Sequence, residues 1–248
     1  LREATAAVRW NVAVDTCPAG GAETVIMLPA GAFELTRAEP QPSDSDVMYG
    51  DLDIQGNVTV QGAGQAATII DGISLSRIFE IPHGNIVMRD LTMRNGLVHG
   101  IGGAIKAHTT SLTIERAVFE HNQALYANDD LPAIGGAIAL YSGKLTITAS
   151  ALRHNYAESE YNWMAAMGSA IFAGPGTELV AHKLVVVGDL EPLTGEVFIA
   201  GMATITNSRF ERMGRFGIIV PVAASAVTIR DSVFRENTAP AILNNGSS

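Results

Sequence analysis

Two short motifs recur together along the C-terminal half of this chain and constrain its fold more than any other feature. One is a small-small-Ile unit: Gly103-Ala104-Ile105, Gly136-Ala137-Ile138 and Ser169-Ala170-Ile171, with looser copies ending at Ile199, Ile219 and Ile242. The other ends in asparagine: Val118-Phe119-Glu120-His121-Asn122, Ala151-Leu152-Arg153-His154-Asn155 and Val233-Phe234-Arg235-Glu236-Asn237. An apolar residue precedes each of these asparagines by eight positions, at Ile114, Ile147 and Ile229. The same offset links Val87 to Asn95, Val180 to Gly188 and Ile205 to Met213. The small-small-Ile unit is evenly spaced from Ile105 to Ile138 to Ile171, and its later copies follow at shorter intervals. Self-similarity at a period of roughly 20–50 residues is the signature of a solenoid.

Within each period, apolar and polar residues alternate over three to five positions between glycines, as in strands with one buried face. Residues 104–107, 112–115 and 117–119 read as three short strands of one coil, and 137–140, 145–147 and 151–152 as those of the next. Earlier strands are expected at 24–28, 32–36, 52–54, 58–60 and 68–71, with a polar loop at 39–46. Coils of such a solenoid stack as parallel neighbours about 4.7–4.9 Å apart. Inward positions then form columns of Ile, Leu and Val, and Gly or Ala lets the chain turn tightly at a corner. Asparagines repeated at a turn can hydrogen-bond their copies in adjacent coils. Asn95, Asn122, Asn155 and Asn237 are expected to form such a ladder, interrupted at Gly188 and Met213. Residues 1–16 carry the one helical stripe, Leu1, Ala4, Val8 and Val12, ended by Asp15, Pro18, Gly20 and Gly21. A lone amphipathic helix at the end of a solenoid serves as its cap. The expected organisation is a capping helix and turn over residues 1–20, followed by one all-β solenoid over 21–248.

Composition fits this reading. Hydrophobic content is 47%, aromatic content only 6%, and there are 25 glycines, enough for many short strands around a narrow core. The formal net charge of -9 argues against nucleic acid, whose binders show basic patches. No run of 18 apolar residues is present, so no spanning helix is expected. The chain opens at Leu1 without a signal peptide and reads as a mature or trimmed piece. Its single cysteine, Cys17, reads on its own as a small residue buried near a turn.

Gly-Gly-Ala-Ile paired with Phe-x-x-Asn resembles the repeat of chlamydia-type polymorphic outer membrane proteins. Leu1-Arg2-Glu3-Ala4, Cys17-Pro18-Ala19-Gly20, Leu28-Pro29-Ala30-Gly31, Gly50-Asp51-Leu52-Asp53-Ile54 and Val60-Gln61-Gly62-Ala63-Gly64 resemble the CSLREA domain of bacterial secreted and surface proteins. Together these resemblances cover nearly the whole chain. They imply a right-handed parallel β-helix of the pectate-lyase-like superfamily, exported and displayed outside a bacterial cell. The Cys and Ser that open the CSLREA signature do not precede Leu1. Where the natural chain carries that Cys, the resemblance implies that it pairs with Cys17.

Catalytic signatures are sparse. Hydrolases need paired carboxylates about 5–9.5 Å apart. The Gly-His-Gly and Arg-x-Lys segments of β-helix hydrolases do not occur, and Pro82-His83-Gly84 is a poor match. His99 and His108 show no partners suggesting a metal site, and Gly62-Ala63-Gly64 reads as a tight corner rather than a phosphate cradle. The informative signal is a set of long connections, 123–134, 156–167 and 189–196, at one corner of consecutive coils. They carry Tyr126, Asn128, Asp129, Asp130, Tyr156, Glu158, Glu160, Tyr161, Trp163, Asp189 and Glu191, with no Lys or Arg. Insertions on one face of a solenoid often bind. Aromatic plates suit sugars, and clustered oxygens suit calcium; the other reading is that Tyr161, Trp163 and Met164 fold back as an apolar cover. The expectation is a non-enzymatic extracellular scaffold, adhesin-like, contacting a protein partner or glycan there, with no obligatory cofactor. An assembly subunit stacking through the uncapped run Ala241-Ile242-Leu243 is a variant. The alternative is a polysaccharide lyase or glycoside hydrolase.

Overall fold

The structure, a computed structural model, describes residues 1–38, 49–126, 132–158, 166–188, 195–214, 216–222, 224, 226–238 and 240–245. Among these residues it is all-β apart from one helix, Arg2–Trp10, and the long sheet is parallel. Each strand pairs with the strand one repeat further along. One series of partners runs Ile105, Ile138, Ile171, Val197, Ile218, Ile242. A second runs Val60, Met88, Ile114, Ile147, Ala181, Ile205, Ile229. A third runs Phe33, Ile70, Met93, Phe119, Leu152, Val186, Phe210, Phe234. Nearly all of these belong to one buried hydrophobic cluster. In the second series the flanking residues alternate toward the surface, as strand geometry requires, whereas those beside Ile138 and Ile171 are themselves buried.

The small-small-Ile unit is explained by close approach. A Cβ on Gly103 would lie 2.2 Å from the carbonyl oxygen of Gly136, and one on Gly136 2.2 Å from that of Ser169. Gly62 likewise sits where a Cβ would lie 2.2 Å from the Asp90 carbonyl, so its corner tolerates no side chain.

Several expectations shift by one or two residues. Ile171 pairs with Val197 rather than Ile199, and Ile242 pairs with Ile218 rather than Ile219, so the later repeats are offset from the motif. Met88 and Ala181, not Val87 and Val180, occupy the inward series. A one-residue slip turns a side chain to the other face. Asn95 therefore leaves the ladder. It stands beside His121, and it is Gly96 whose N–H donates to Asn122 Oδ1 at 2.9 Å. Asn95 shares a left-handed backbone position with His121, His154, Arg212 and Glu236 (φ 50–60°), a conformation that asparagine tolerates well. Gly188 aligns with that position too, so the ladder position after it falls on residue 189, outside the described residues.

The ladder itself holds at Asn122 and Asn155. Asn122 Nδ2 donates to Asn155 Oδ1 at 2.9 Å and to the Met93 carbonyl at 3.2 Å, and Asn155 Nδ2 donates to the Phe119 carbonyl at 3.0 Å. Further along, Asn237 Oδ1 accepts from the Met213 N–H at 2.9 Å. A second corner has its own ladder that the sequence does not announce. Ser150, Ser208 and Ser232 hydroxyls accept from the N–H groups of Ala117, Leu184 and Ser208 at 3.1–3.2 Å.

The three short strands per repeat are not always separate. Phe79–Arg94 and Ile105–Glu120 run on through the corners as continuous strands. The helix is also shorter than the 1–16 stretch. It stops at Asn11, whose left-handed backbone (φ 51°) caps it, with Val12 N–H bonding the Ala7 carbonyl. Val12 is exposed; Thr5, Ala6 and Ala7 are buried, while Leu1, Ala4 and Val8 pack on the core edge. Arg2 anchors this helix by donating to the carbonyls of Tyr49, Gly50 and Asp51 at 2.7–3.2 Å. Cys17 is half-exposed and free, bridged through its backbone to Val14.

Candidate functional site

The long connections at the asparagine corner are not bare loops. Leu97–His99, Gln123–Leu125 and Tyr156–Glu158 form a three-stranded parallel sheet, and Ala133–Ile134 pairs with Ala166–Met167. Between them lies a small core of Ala124, Ala133, Ala157 and Ala166, with Val98 and Tyr126 packed against it. On the opposite side Ile101, Ile134 and Met167 cover Ala139, Phe172 and Phe198, which project outward from the main sheet. The corner is thus a second layer with its own alanine spine.

Of the residues expected to bind, Tyr126, Tyr156 and Glu158 are placed. Tyr126 N–H donates to the Glu158 carbonyl at 2.8 Å, and its ring lies on the alanine core rather than standing free. Tyr156 and Glu158 are half-exposed, alternating with buried Ala157. Asn128, Asp129, Asp130, Glu160, Tyr161, Trp163, Asp189 and Glu191 lie outside the described residues. Among the described residues no three of His, Cys, Asp and Glu gather as a metal cage.

A second constellation sits on the outward side of the Ile105–Ile138 series. Asp53, Glu80, Lys106, Ala139, Phe172 and Phe198 occupy one outward position in successive repeats. Around the first three, Arg77 Nη1 reaches Asp51 at 2.6 Å and Glu80 at 2.7 Å, and its Nε donates to the Ile101 carbonyl at 3.2 Å. Lys106 Nζ lies 2.8 Å from Glu80, and Arg9 is 2.5 Å from Asp53. Arg77 and Asp51 side chains are each only 9% exposed. Burial pushes the Asp53 carboxyl up, against the pull of Arg9. Burial also pushes the Arg2 guanidinium down, against the pull of Asp51.

Two positions further along the strands, His108 and Tyr141 stack at 5.1 Å with their planes 11° apart, and Tyr141 meets Phe172 at 6.0 Å. His108 Nε2 is 3.9 Å from Glu80. Burial, reinforced by Lys106, pushes the His108 imidazole down, so it is neutral at pH 7. Burial pushes the Tyr141 phenol up, so it keeps its proton. Sequence reasoning alone misses Glu80, Lys106 and Tyr141 and gives His108 no partner; the signal available is the outward pair Lys106-x-His108. His121 and His154 also stack, at 5.5 Å, on the asparagine corner.

Comparison with protein-family models, curated proteins and solved structures returned no match. The resemblance to CSLREA domains and polymorphic outer membrane protein repeats therefore rests on the motifs themselves. Among the described residues no helix is long and apolar enough to cross a membrane.

Proposed function

We propose that the chain winds as a right-handed parallel β-helix, lidded by Arg2–Trp10, and acts outside the cell as a non-enzymatic scaffold. Three inward series facing one buried cluster support the winding, and parallel crossovers are right-handed almost without exception. The layered corner is its contact surface for a protein partner or a glycan, in the manner of an adhesin or an assembly subunit. One observation carries this. The corner sheets centre on the long repeats that run from Ile105 to Ile138 to Ile171, with Leu97–His99 of the preceding repeat as an edge strand. The shorter repeats from Val197 to Ile218 to Ile242 form the same inward series, and no such sheet is found among their described residues. The extra layer is not needed to close the core, so ordering it serves something else. Calcium binding by the acidic residues of these connections belongs to the same reading.

His108 beside Tyr141 and Lys106 favours a second reading, polysaccharide cleavage as a lyase or hydrolase, with a neutral imidazole and a protonated phenol as base and acid. Product analysis by mass spectrometry over a polysaccharide panel, with and without calcium, separates the two. An unchanged panel with folded protein supports the scaffold; shortened or unsaturated oligosaccharides sink it.

A further inference from the structure

Of the six histidines, only His121 and His154 stand at the same position of adjacent repeats, directly after the paired strand residues Glu120 and Arg153. Each holds a left-handed backbone, φ 55° and 52°. Each backbone N–H donates to a carbonyl of the following repeat, His121 to Arg153 at 3.2 Å and His154 to Val187 at 2.9 Å. The same backbone conformation in stacked repeats makes the two side chains project in parallel from a fixed base. Their rings face each other with centroids 5.5 Å apart and planes 18° apart. His121 is exposed and His154 half-buried, so solvent reaches the pair. The same position holds Asn95 in the repeat before and Gly188 in the repeat after. Asn95 turns its amide away to Asp71, at 2.9 Å, and Gly188 brings no side chain.

This spacing is close to what one metal ion needs. With metal–nitrogen bonds of about 2.0–2.1 Å, two imidazoles sharing an ion at right-angled to tetrahedral bond angles have centroids roughly 4.5–5.2 Å apart. A turn about χ2, a broad torsion in histidine, swings one nitrogen of each ring into the gap and closes the difference without moving the backbone. The flanking charges balance, since Glu120 and Arg153 oppose each other in register. Affinity therefore rests on the two nitrogens rather than on a negative field. Calcium, which takes six to eight oxygen ligands, is a poor match for two imidazoles.

We infer that His121 and His154 chelate one late divalent transition ion, copper(II) ahead of nickel(II) and zinc(II), the preference of imidazole ligands among these metals. Among the described residues no third His, Cys, Asp or Glu completes a cage. Water fills the other coordination positions, so the ion is exchangeable and can take a further ligand from a molecule arriving at this corner. Gln123 and Tyr156, two residues on from each histidine, begin two strands of the layered corner, which puts the ion at its root. The site does not depend on the scaffold reading, and either can fail without the other. Because the ion clips adjacent repeats of the folded chain, it also raises the unfolding temperature.

Calorimetric titration of the full chain with copper(II), nickel(II) and zinc(II), beside calcium and magnesium, tests this. One equivalent of copper(II) binds at micromolar concentration or tighter, nickel(II) and zinc(II) bind more weakly, and calcium and magnesium do not bind at this site. His121→Asn and His154→Asn introduce the residue already present at position 95, so the fold and its circular dichroism are kept. Each weakens copper(II) about a hundred-fold, because the gain from chelation needs both rings. His182→Asn, at the ring bonded to Thr206, and Cys17→Ser leave it unchanged. In the imidazole NMR spectrum, zinc(II) moves the signals of His121 and His154 and no others. The proposal is overturned if the parent binds copper(II) no tighter than the double variant, if either single variant at His121 or His154 binds as tightly as the parent, or if the loss follows His182 or Cys17 instead.

Discussion

The middle of the molecule and its C-terminal end are written in the same repeat, yet they are buried to different depths. Ile105, Leu112, Ile114 and Phe119 have no exposed surface and have paired strands on both sides. Their counterparts near the end, Val227, Ile229 and Phe234, occupy the same inward series but are only partly buried. Asparagine follows the same trend: Asn122 is fully buried and bonded in both directions, whereas Asn237 is partly exposed. Alternation decides which side chain turns inward. A neighbour on each side decides how much that turn stabilises, as nearest-neighbour energetics of stacked repeats require.

The sharpest way to break this comparison is to truncate one residue of the third series in each region. Phe119→Ala should destabilise by about 4 kcal/mol, since neighbours on both sides prevent collapse of the cavity. Phe234→Ala, stacked on Phe210 at 4.8 Å but open on its other side, should cost about 2 kcal/mol or less. Urea denaturation measures both; equal losses would mean that the end is packed as tightly as the middle. Next comes the buried ion network. Arg77→Ala leaves Asp51 and Glu80 facing each other with one cation fewer and should cost about 3 kcal/mol. At the end, the exposed Arg235 pairs with Glu211, which Arg209 also holds, so Arg235→Ala should bring no measurable loss. Asn122→Ala should cost about 2 kcal/mol because the Gly96 N–H and Met93 carbonyl lose a buried partner. Asn237→Ala should cost less than half of that, and hydrogen exchange at Gly96 and Met213 would report each site directly.

How much of this is legible in the sequence depends on how cleanly each position alternates. Ile105, Ile138 and Ile171 each follow a small-small pair, and their register is readable from the motif. Ile86-Val87-Met88, Leu179-Val180-Ala181 and Ile218-Ile219 are apolar throughout, so period two is blurred and only the partner strand selects the inward residue. Asn95 misleads for a related reason, since asparagine suits both the ladder and the left-handed position before it. The corner strands are hidden because Ala124, Ala133, Ala157 and Ala166 carry little hydrophobic signal until they are stacked. The charged and aromatic strip is less visible still. Glu80, Lys106 and Tyr141 belong to different repeats, and nothing local joins them before the register is known.

The smallest expected effect lies in an exposed ion pair of the first half. Arg116 grips Asp90 with two hydrogen bonds, Nε to Oδ1 at 2.6 Å and Nη2 to Oδ2 at 2.8 Å, and Gln61 adds a third at 3.0 Å. Both residues hold the left-handed position of the serine corner in adjacent repeats, which brings their side chains together. The Arg116 bonds, with Gln61 assisting, hold the Asp90 carboxyl down at about 2. A carboxyl depressed in the folded state contributes stability above the unfolded value of about 3.9, and that contribution is lost as pH falls through the folded value. The window is therefore about pH 4 down to pH 2. Arg116→Ala should return Asp90 toward the ordinary aspartate range in a carbon-detected NMR titration. Because the pair is solvated, stability at pH 7 should change by no more than the error of a denaturation curve. An Asp90 titration that stays near 2 without Arg116 would assign the depression to Gln61 and the backbone instead. A large stability loss at pH 7 would show that this corner depends on its charges as the buried network around Arg77 does.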